Sequence, residues 1–308
     1  MKKVFVDGSA GTTGLRIVDR LSMRDDIELI VLGEDKRKDA EERKKALNAC
    51  DVAILCLPDA AAQEAVAMID NPDVVVIDTS TAHRTAEGWT YGFAELTGFD
   101  TIANSKRIAN PGCHASGFIA LVKPLVDAEI IDKSATLSCW SITGYSGGGK
   151  KMIEEYRLED RREYLSSPAL YALGQQHKHL KEMKNVTRIE FSPSFYPIVA
   201  PFYSGMEVCV PLFAKDIKAG ANEIKQVYRE VYSQGLVGFC DDMSDGGFIY
   251  ANRLSGADNM LVSVAGNDER ISLIALYDNL GKGASGSALE NLNIVLGQDL
   301  TKGLVIKQ

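Results

Sequence analysis

An apolar run from Met1 to Asp7, with Val4, Phe5 and Val6 at its centre, passes directly into Gly8-Ser9-Ala10-Gly11-Thr12-Thr13-Gly14 and then into the helix-patterned Leu15 to Leu21. A strand that must turn on glycines into a helix begins a βα unit, and repetition of such units builds a doubly wound parallel sheet. Small residues in the turn let its backbone approach a pyrophosphate, whose charge is stabilised by amide donors at the helix start. Gly8, Ser9, Ala10, Gly11, Thr12, Thr13 and Gly14 are therefore candidate cofactor-binding residues. The same spacing also suits a tight strand-to-helix turn that holds no ligand, but its position after the first strand favours the nucleotide.

The alternation continues. Ile27 to Leu32, Val52 to Leu57 and Val74 to Asp78 read as strands, separated by helix-patterned Asp39 to Ala49 and Ala60 to Ile69. Continuous Val/Ile/Leu runs between helices indicate strands covered on both faces. Ligands of such sheets bind beyond the carboxyl ends of the strands, where Leu57-Pro58-Asp59 and Asp78-Thr79-Ser80 fall. From Cys113 onward the texture changes. Ala135 to Thr143, Arg188 to Phe191, Met206 to Leu212, Leu261 to Ala265 and Ile271 to Tyr277 read as strands, and Lys150 to Leu165 and Ala221 to Gln234 as helices. Strands that follow one another without an intervening helix mark an α+β domain with a largely antiparallel sheet. The expected fold class is α/β: a Rossmann-like doubly wound parallel sheet over residues 1–112, rejoined by about 285–308 through the helix-patterned Ser285 to Leu296, with a second α+β domain over 113–284.

Asn110-Pro111-Gly112-Cys113-His114 sets one thiol at a bend. Pro111 has no amide hydrogen and Gly112 can take positive φ, so the chain turns sharply before Gly117 to Ala128 continues as an apolar helix. A free thiol has a pKa of about 8.5, which a helix N-terminus and a nearby imidazole lower. An unpaired cysteine is equally at home as an inert core residue. The remaining cysteines, at 50, 56, 139, 209 and 240, form no Cys-x-x-Cys pair, and Cys56 and Cys209 lie in apolar runs. A structural metal site needs paired ligands, so no metal is expected.

A chain of 308 residues with 45% hydrophobic content can bury the cores of two domains without staples. Its net charge of −8 speaks against nucleic acid, which is bound through clustered Lys and Arg. The bases of Lys36 to Lys38 and Arg43 to Lys45 are interleaved with acids, as on a solvated face. No apolar run reaches about 18 residues, and Met1-Lys2-Lys3 enters a strand, so the expectation is a cytoplasmic protein with no membrane partner.

The nucleotide turn with Leu15, Asn110-Pro111-Gly112-Cys113, Ser141 to Gly149, His177-Lys178-His179 and Asn279-Leu280-Gly281-Lys282-Gly283-Ala284-Ser285-Gly286 together closely resemble the shorter type of the N-acetyl-γ-glutamyl-phosphate reductase family. The resemblance spans nearly the whole chain and places it in the semialdehyde-dehydrogenase group. It implies an NADP-dependent enzyme of arginine biosynthesis that reduces an acyl phosphate to an aldehyde, and a homo-oligomer. By the same resemblance Ser80, Gly147, Gly148, Asn279 and Gly281 lie at the cofactor, and Arg84, Asn110 and Ser116 at the substrate. One departure stands out: the family tends to carry an arginine shortly before the glycine at Phe202-Tyr203-Ser204-Gly205.

A nucleotide turn plus an activated thiol suits covalent reduction of an acyl phosphate through a thioester. Of four histidines, His83 lies in the Asp78-to-Arg84 loop, and His114 adjoins the thiol in sequence but on a helix points away from it. His179, with Glu182 three residues on to orient it, is the favoured catalytic base, with His177 close behind. The competing functions are another semialdehyde dehydrogenase, such as one acting on aspartyl phosphate, and a nucleotide-binding sensor with a structural thiol. After the second candidate strand, Gly33-Glu34-Asp35-Lys36-Arg37-Lys38 mixes acids that hold a ribose hydroxyl with bases that pair a 2′-phosphate, and the resemblance decides for NADP.

Overall fold

Val4 and Val6 face one apolar core and Phe5 the other, because strand β1 (Lys2–Asp7) lies inside a sheet covered on both sides. The computed structural model describes residues 1–307. Its first sheet adds β2 (Ile27–Ile30), β3 (Val52–Leu55), β4 (Val75–Asp78), β5 (Thr90–Tyr91) and β6 (Arg107–Ala109). The six strands are parallel in the order β2-β1-β3-β4-β6-β5. Strand order reverses beside β1, so the glycine turn stands at the topological switch point. Helices α1 (Thr12–Leu21), α2 (Ala40–Ala49) and α3 (Asp59–Ala67) make the crossovers, with short α4 (Ala94–Thr97) and α5 (Phe99–Ala103) ahead of β6. Asp39 starts α2 by accepting the amides of Glu41 and Glu42 at 2.9 and 3.0 Å.

The second unit opens with α6 (Cys113–Asp127), buried from His114 through Val126. The helix begins at Cys113 itself, ahead of the expected Gly117. A Cβ on Gly117 would lie 2.6 Å from the Val208 side chain and 2.7 Å from the Tyr277 hydroxyl, so the glycine lets the helix press onto the sheet. That sheet contains β7 (Ser138–Gly144), β8 (Ala169–Leu170), β9 (Ser194–Ala200), β10 (Met206–Phe213), β11 (Val237–Phe239), β12 (Met260–Gly266) and β13 (Arg270–Tyr277), in the order β11-β12-β13-β10-β7-β9-β8. It is mixed. The central β12-β13-β10-β7 run and β9-β8 are antiparallel, whereas β11 with β12 and β7 with β9 are parallel.

Two expectations fail locally. No strand covers 188–191, because helix α8 (His179–Thr187) ends in Arg188 with φ of 62°, and the strand forms later as β9. The helix expected to reach Leu165 stops as α7 (Gly149–Arg157), after which Leu158 is extended. Helix α9 (Ala221–Val231) follows β10. A wide turn over Gly281–Ser285 leads into α10 (Gly286–Val295), whose Leu289 and Leu292 complete the core of the first sheet. The chain thus divides into Met1–Gly112 with Ala284–Leu304, and Cys113–Gly283 with the tail from Val305. The tail leaves the first unit, to which 285–308 was expected to belong, because Val305 exchanges hydrogen bonds with Asp258, and Lys307 with Asn259. Among the described residues no helix is long and apolar enough to cross a membrane.

Candidate active site

The turn of the first unit is shaped by what cannot be there. Gly8 has φ of 84°, and a Cβ on it would stand 2.3 Å from the Cys56 carbonyl oxygen; one on Gly14 would stand 2.4 Å from that of Gly8. Gly11 is the N-cap of α1 and brings no side chain over the first amides of the helix, which leaves them for an anion. This cradle fits a dinucleotide pyrophosphate. Beneath it Asp7 is buried and clamped by Arg43, whose Nε and Nη2 donate to Oδ2 at 3.1 and 2.9 Å. In the segment after β2, Arg37 donates to Glu34 at 2.8 Å, so one base and one acid of the mixed signal are paired with each other.

Ser80 and His83 form a buried cluster with Asp78. The Ser80 amide and hydroxyl donate to its two oxygens at 2.9 and 2.7 Å, and His83 Nδ1 lies 2.6 Å from Oδ2 while its ring stacks on Trp89. Arg84 donates from Nε to the Asn110 carbonyl (2.9 Å) and from Nη2 to that of Thr79 (3.0 Å). Asn110 is 1% exposed; its side chain donates to the Ala284 carbonyl at 3.0 Å and accepts from Asn291 at 3.3 Å. Both residues set the backbone that delivers the chain to Cys113.

In the second unit Cys113 is the first residue of α6 and is half-buried. Tyr277 donates to its carbonyl at 2.6 Å and accepts from the Gly117 amide at 3.1 Å. A Cβ on Gly283 would come within 3.0 Å of that of Cys113, so a glycine there keeps the thiol uncrowded. Burial pushes the thiols of Cys50, Cys56 and Cys209 up to about 12, and that of Cys139 well above its ordinary value, which leaves them inert.

Three of the four histidines gather here. The rings of His177 and His179 are 4.7 Å apart, and His114 lies 5.5 and 5.7 Å from them. His177 Nδ1 accepts the His179 amide at 3.2 Å, which fixes the proton of the neutral ring on Nε2. Burial, helped by Lys178, pulls His177 down to about 4. His114 Nδ1 is 2.7 Å from the Ser141 hydroxyl and its Nε2 is 2.7 Å from the Tyr171 hydroxyl. Ser116 is buried in α6, and Glu182 in α8.

Other glycine-loop residues serve the loops themselves. Asn279 accepts from the Gly205 amide and donates to Ser146, both at 3.0 Å. A Cβ on Gly281 would stand 1.8 Å from the Ala257 carbonyl oxygen, and one on Gly148 would strike Met152; one on Gly147 would touch Asn279 only at 3.4 Å. Sequence reasoning missed Asp278, a buried carboxylate that accepts Ser204 at 2.6 Å and the amides of Gly256, Leu280 and Gly281 at 2.5, 2.6 and 2.9 Å. The available signal was an acid closing an apolar strand just before a glycine loop. No arginine stands in the segment Phe202-Tyr203-Ser204 just before Gly205, yet the Arg157 guanidinium lies 5.4 Å from the Tyr203 ring centre.

A parallel sheet with a pyrophosphate cradle, followed by a unit headed by a half-buried thiol, defines a nicotinamide-dependent semialdehyde dehydrogenase. The family described as "Semialdehyde dehydrogenase, NAD binding domain" matches residues 3–104, and that described as "Semialdehyde dehydrogenase, dimerisation domain" matches 113–279. Among solved structures, aspartate semialdehyde dehydrogenase II from Vibrio cholerae shares the fold with a TM-score of 0.72 at 16% identity, over 96% of this chain and 98% of that one. Aspartate semialdehyde dehydrogenase from Candida albicans, solved with NADP, does so at 0.63 and 15%, over 96% and 99%. Sequence relatives are closer. The chain is 43% identical to N-acetyl-gamma-glutamyl-phosphate reductase 2 of Nostoc sp., over 98% of this chain and 99% of that protein. It is 42% identical to the Sinorhizobium medicae N-acetyl-gamma-glutamyl-phosphate reductase, over 96% and 98%. The chain belongs to the N-acetyl-γ-glutamyl-phosphate reductase family.

Proposed function

We propose that this protein reduces N-acetyl-γ-glutamyl phosphate to N-acetylglutamate semialdehyde and phosphate with NADPH, as a step of arginine biosynthesis, and that Cys113 carries the acyl group. The observation that carries the reading is the half-buried Cys113 at the head of α6, followed directly in the chain by His114, whose ring clusters with those of His177 and His179. The Cys113 sulfur attacks the acyl carbon, the carbon–oxygen bond to phosphate breaks, and a thioester forms. His179 takes the thiol proton and passes it to the departing phosphate, while the Nε2–H of His177 holds the acyl oxygen. NADPH, when bound, supplies the hydride that converts the thioester to the aldehyde. The Cys113 thiolate is then released and regains a proton from solvent.

Gly8 to Gly14 hold the pyrophosphate in this reading, and Ser80, Gly147, Gly148, Asn279 and Gly281 shape the cofactor loops. Arg84, Asn110 and Ser116 lie at the substrate in this reading, with Arg84 set to meet the leaving phosphate; Arg84 and Asn110 also bond the backbone on either side of the turn to Cys113. The bases of Lys36 to Lys38 support NADP over NAD. All six cysteines are free thiols, which suits the cytoplasm, and the span of the dimerisation family supports a homo-oligomer built through the second unit. Relatives of 41–43% identity favour the acetylglutamyl substrate over the aspartyl one, since the aspartate semialdehyde dehydrogenases share only the fold. The test is phosphate-dependent reduction of NADP or NAD with each semialdehyde. Turnover with N-acetylglutamate semialdehyde and NADP is expected; preference for aspartate semialdehyde or for NAD overturns the corresponding part.

A further inference from the structure

One carboxylate of the second unit ties three distant segments into the wall of the thiol. Asp278 directly follows β13 and is 0% exposed. Its Oδ1 accepts the amides of Leu280 and Gly281 at 2.6 and 2.9 Å, and its Oδ2 accepts the Gly256 amide at 2.5 Å and the Ser204 hydroxyl at 2.6 Å. Ser204 spends its one hydrogen on Asp278, so the Ser255 hydroxyl, 2.6 Å away, donates to Ser204 in turn. The Asp278 carbonyl takes the Gly283 amide at 3.0 Å and shares the Gly281 amide at 3.1 Å. The amides of 280, 281 and 283 are thus spent on a residue of the chain itself and offer no donor to an acyl or phosphate oxygen. What this glycine loop supplies is shape.

That shape ends on Cys113. A Cβ on Gly283 would stand 3.0 Å from the Cys113 Cβ, 3.3 Å from its Cα and 3.2 Å from the Asp278 carbonyl oxygen, so the bare glycine backbone lies directly on the cysteine. On the other flank of Asp278, Tyr277 donates to the Cys113 carbonyl at 2.6 Å. Asp278 stands in the chain between the two residues that touch Cys113 from this segment. A wall against a Cβ closes one of the staggered positions open to its sulfur.

We infer that Asp278 is a positioning residue for the nucleophile: its carboxylate and carbonyl fix the 279–283 turn, and Gly283 in turn fixes the direction in which the Cys113 sulfur points. Asp278 moves no proton and touches no substrate. The inference rests on Cys113 being the nucleophile. A sulfur held in one direction attacks the acyl carbon without first searching for its line of approach, and a displacement of about 1 Å is enough to cost about a hundredfold in rate.

Three variants test this, each read by kcat, by KM for N-acetylglutamate semialdehyde and by the rate at which iodoacetamide alkylates Cys113 in the ligand-free protein. Asp278→Asn keeps the size of the side chain but sets an amide group where two donors point, and kcat is expected to fall about a hundredfold with KM little changed. Alkylation asks for access and not for one direction of approach, so its rate is expected to hold or rise. Gly283→Ala leaves the hydrogen bonds of Asp278 in place and moves only the wall, so the same split is expected. The double variant should cost little more than either single one, since both act on one contact. Full multiplication of the two losses overturns the route through Gly283. Parental kcat in Asp278→Asn, when Cys113→Ala is inactive, overturns the positioning role and keeps the nucleophile, whereas parental turnover in Cys113→Ala overturns both. Equal losses of kcat and of alkylation rate mark a general collapse of the pocket and also overturn the role. If Asp278→Asn melts well below the parent, Ser204→Ala decides, because it removes one donor and leaves three amides on the carboxylate: kcat lowered about tenfold at parental alkylation supports the role, and parental kcat overturns it.

Discussion

The nucleotide turn and the thiol pocket are built on opposite plans. Gly8 to Gly14 is one continuous stretch whose selection is steric, since a Cβ at Gly8 or Gly14 would meet backbone atoms at 2.3 or 2.4 Å. The surroundings of Cys113 are assembled from α6, β7, α8, β13 and the segment before α8, and their selection is electrostatic: neutral rings, a protonated phenol and directed hydrogen bonds. A turn made of backbone tolerates any chemistry nearby but no extra atom. A pocket made of side chains tolerates small changes of shape but not the loss of one polar group.

Reciprocal variants give the largest expected effects. Cys113→Ala should abolish turnover and leave cofactor affinity within about twofold, because it removes the covalent path alone. Gly14→Ala should do the converse, weakening cofactor binding by about a hundredfold, as roughly 2–3 kcal/mol of strain would predict, and lowering the melting temperature. Steady-state rates and a fluorescence titration of cofactor separate the two. Equal loss of binding in both variants would break the division between the regions.

Within the pocket the histidines should be unequal. His177 already spends Nδ1 on the His179 amide, so it can donate from Nε2 but has no free lone pair for a proton. His179→Asn is expected to lower kcat by roughly a hundredfold or more, and His177→Asn by about tenfold, with cofactor affinity unchanged in both. The reverse ranking would assign the base to His177.

The contrast also explains what could be read from the sequence. The turn and strands β1, β3 and β4 are local signals, glycines and apolar runs, so their places were legible. Strands β6 and β8, of 3 and 2 residues, are too short to show a period. Helix α8 escaped because His179 and Glu182 stand on its buried face and break the apolar stripe. Arg188 then turns the chain at φ of 62°, which moved the strand to β9. Cys113, His177 and His179 could be singled out as candidates by residue type and motif. Tyr171, Ser141 and Asp278 could not, since each is joined to partners far away in the chain.

The smallest effect should be a pH dependence of stability that belongs to the second unit. His114 and His177 are pulled down to about 3 and about 4, against about 6.5 in the unfolded chain. As pH falls below about 6.5, the unfolded state takes up protons that the native state refuses, so their contribution to stability is lost on acidification. Glu207 on β10 acts oppositely. Burial raises its carboxyl to about 7, so the native state keeps a proton that the unfolded chain releases above about 4.3, and stability falls as pH rises toward 7. Asp26, held low by Arg24, loses its contribution only below about pH 4, outside this window. Two histidines oppose one carboxylate, so the melting temperature should rise between about pH 4.5 and 6.5, and more steeply in Glu207→Gln, where the opposing proton is gone. A flat profile in the parent would show that the pocket's histidines are not held neutral by the fold, and a slope unaltered by Glu207→Gln would show that Glu207 does not keep its proton there.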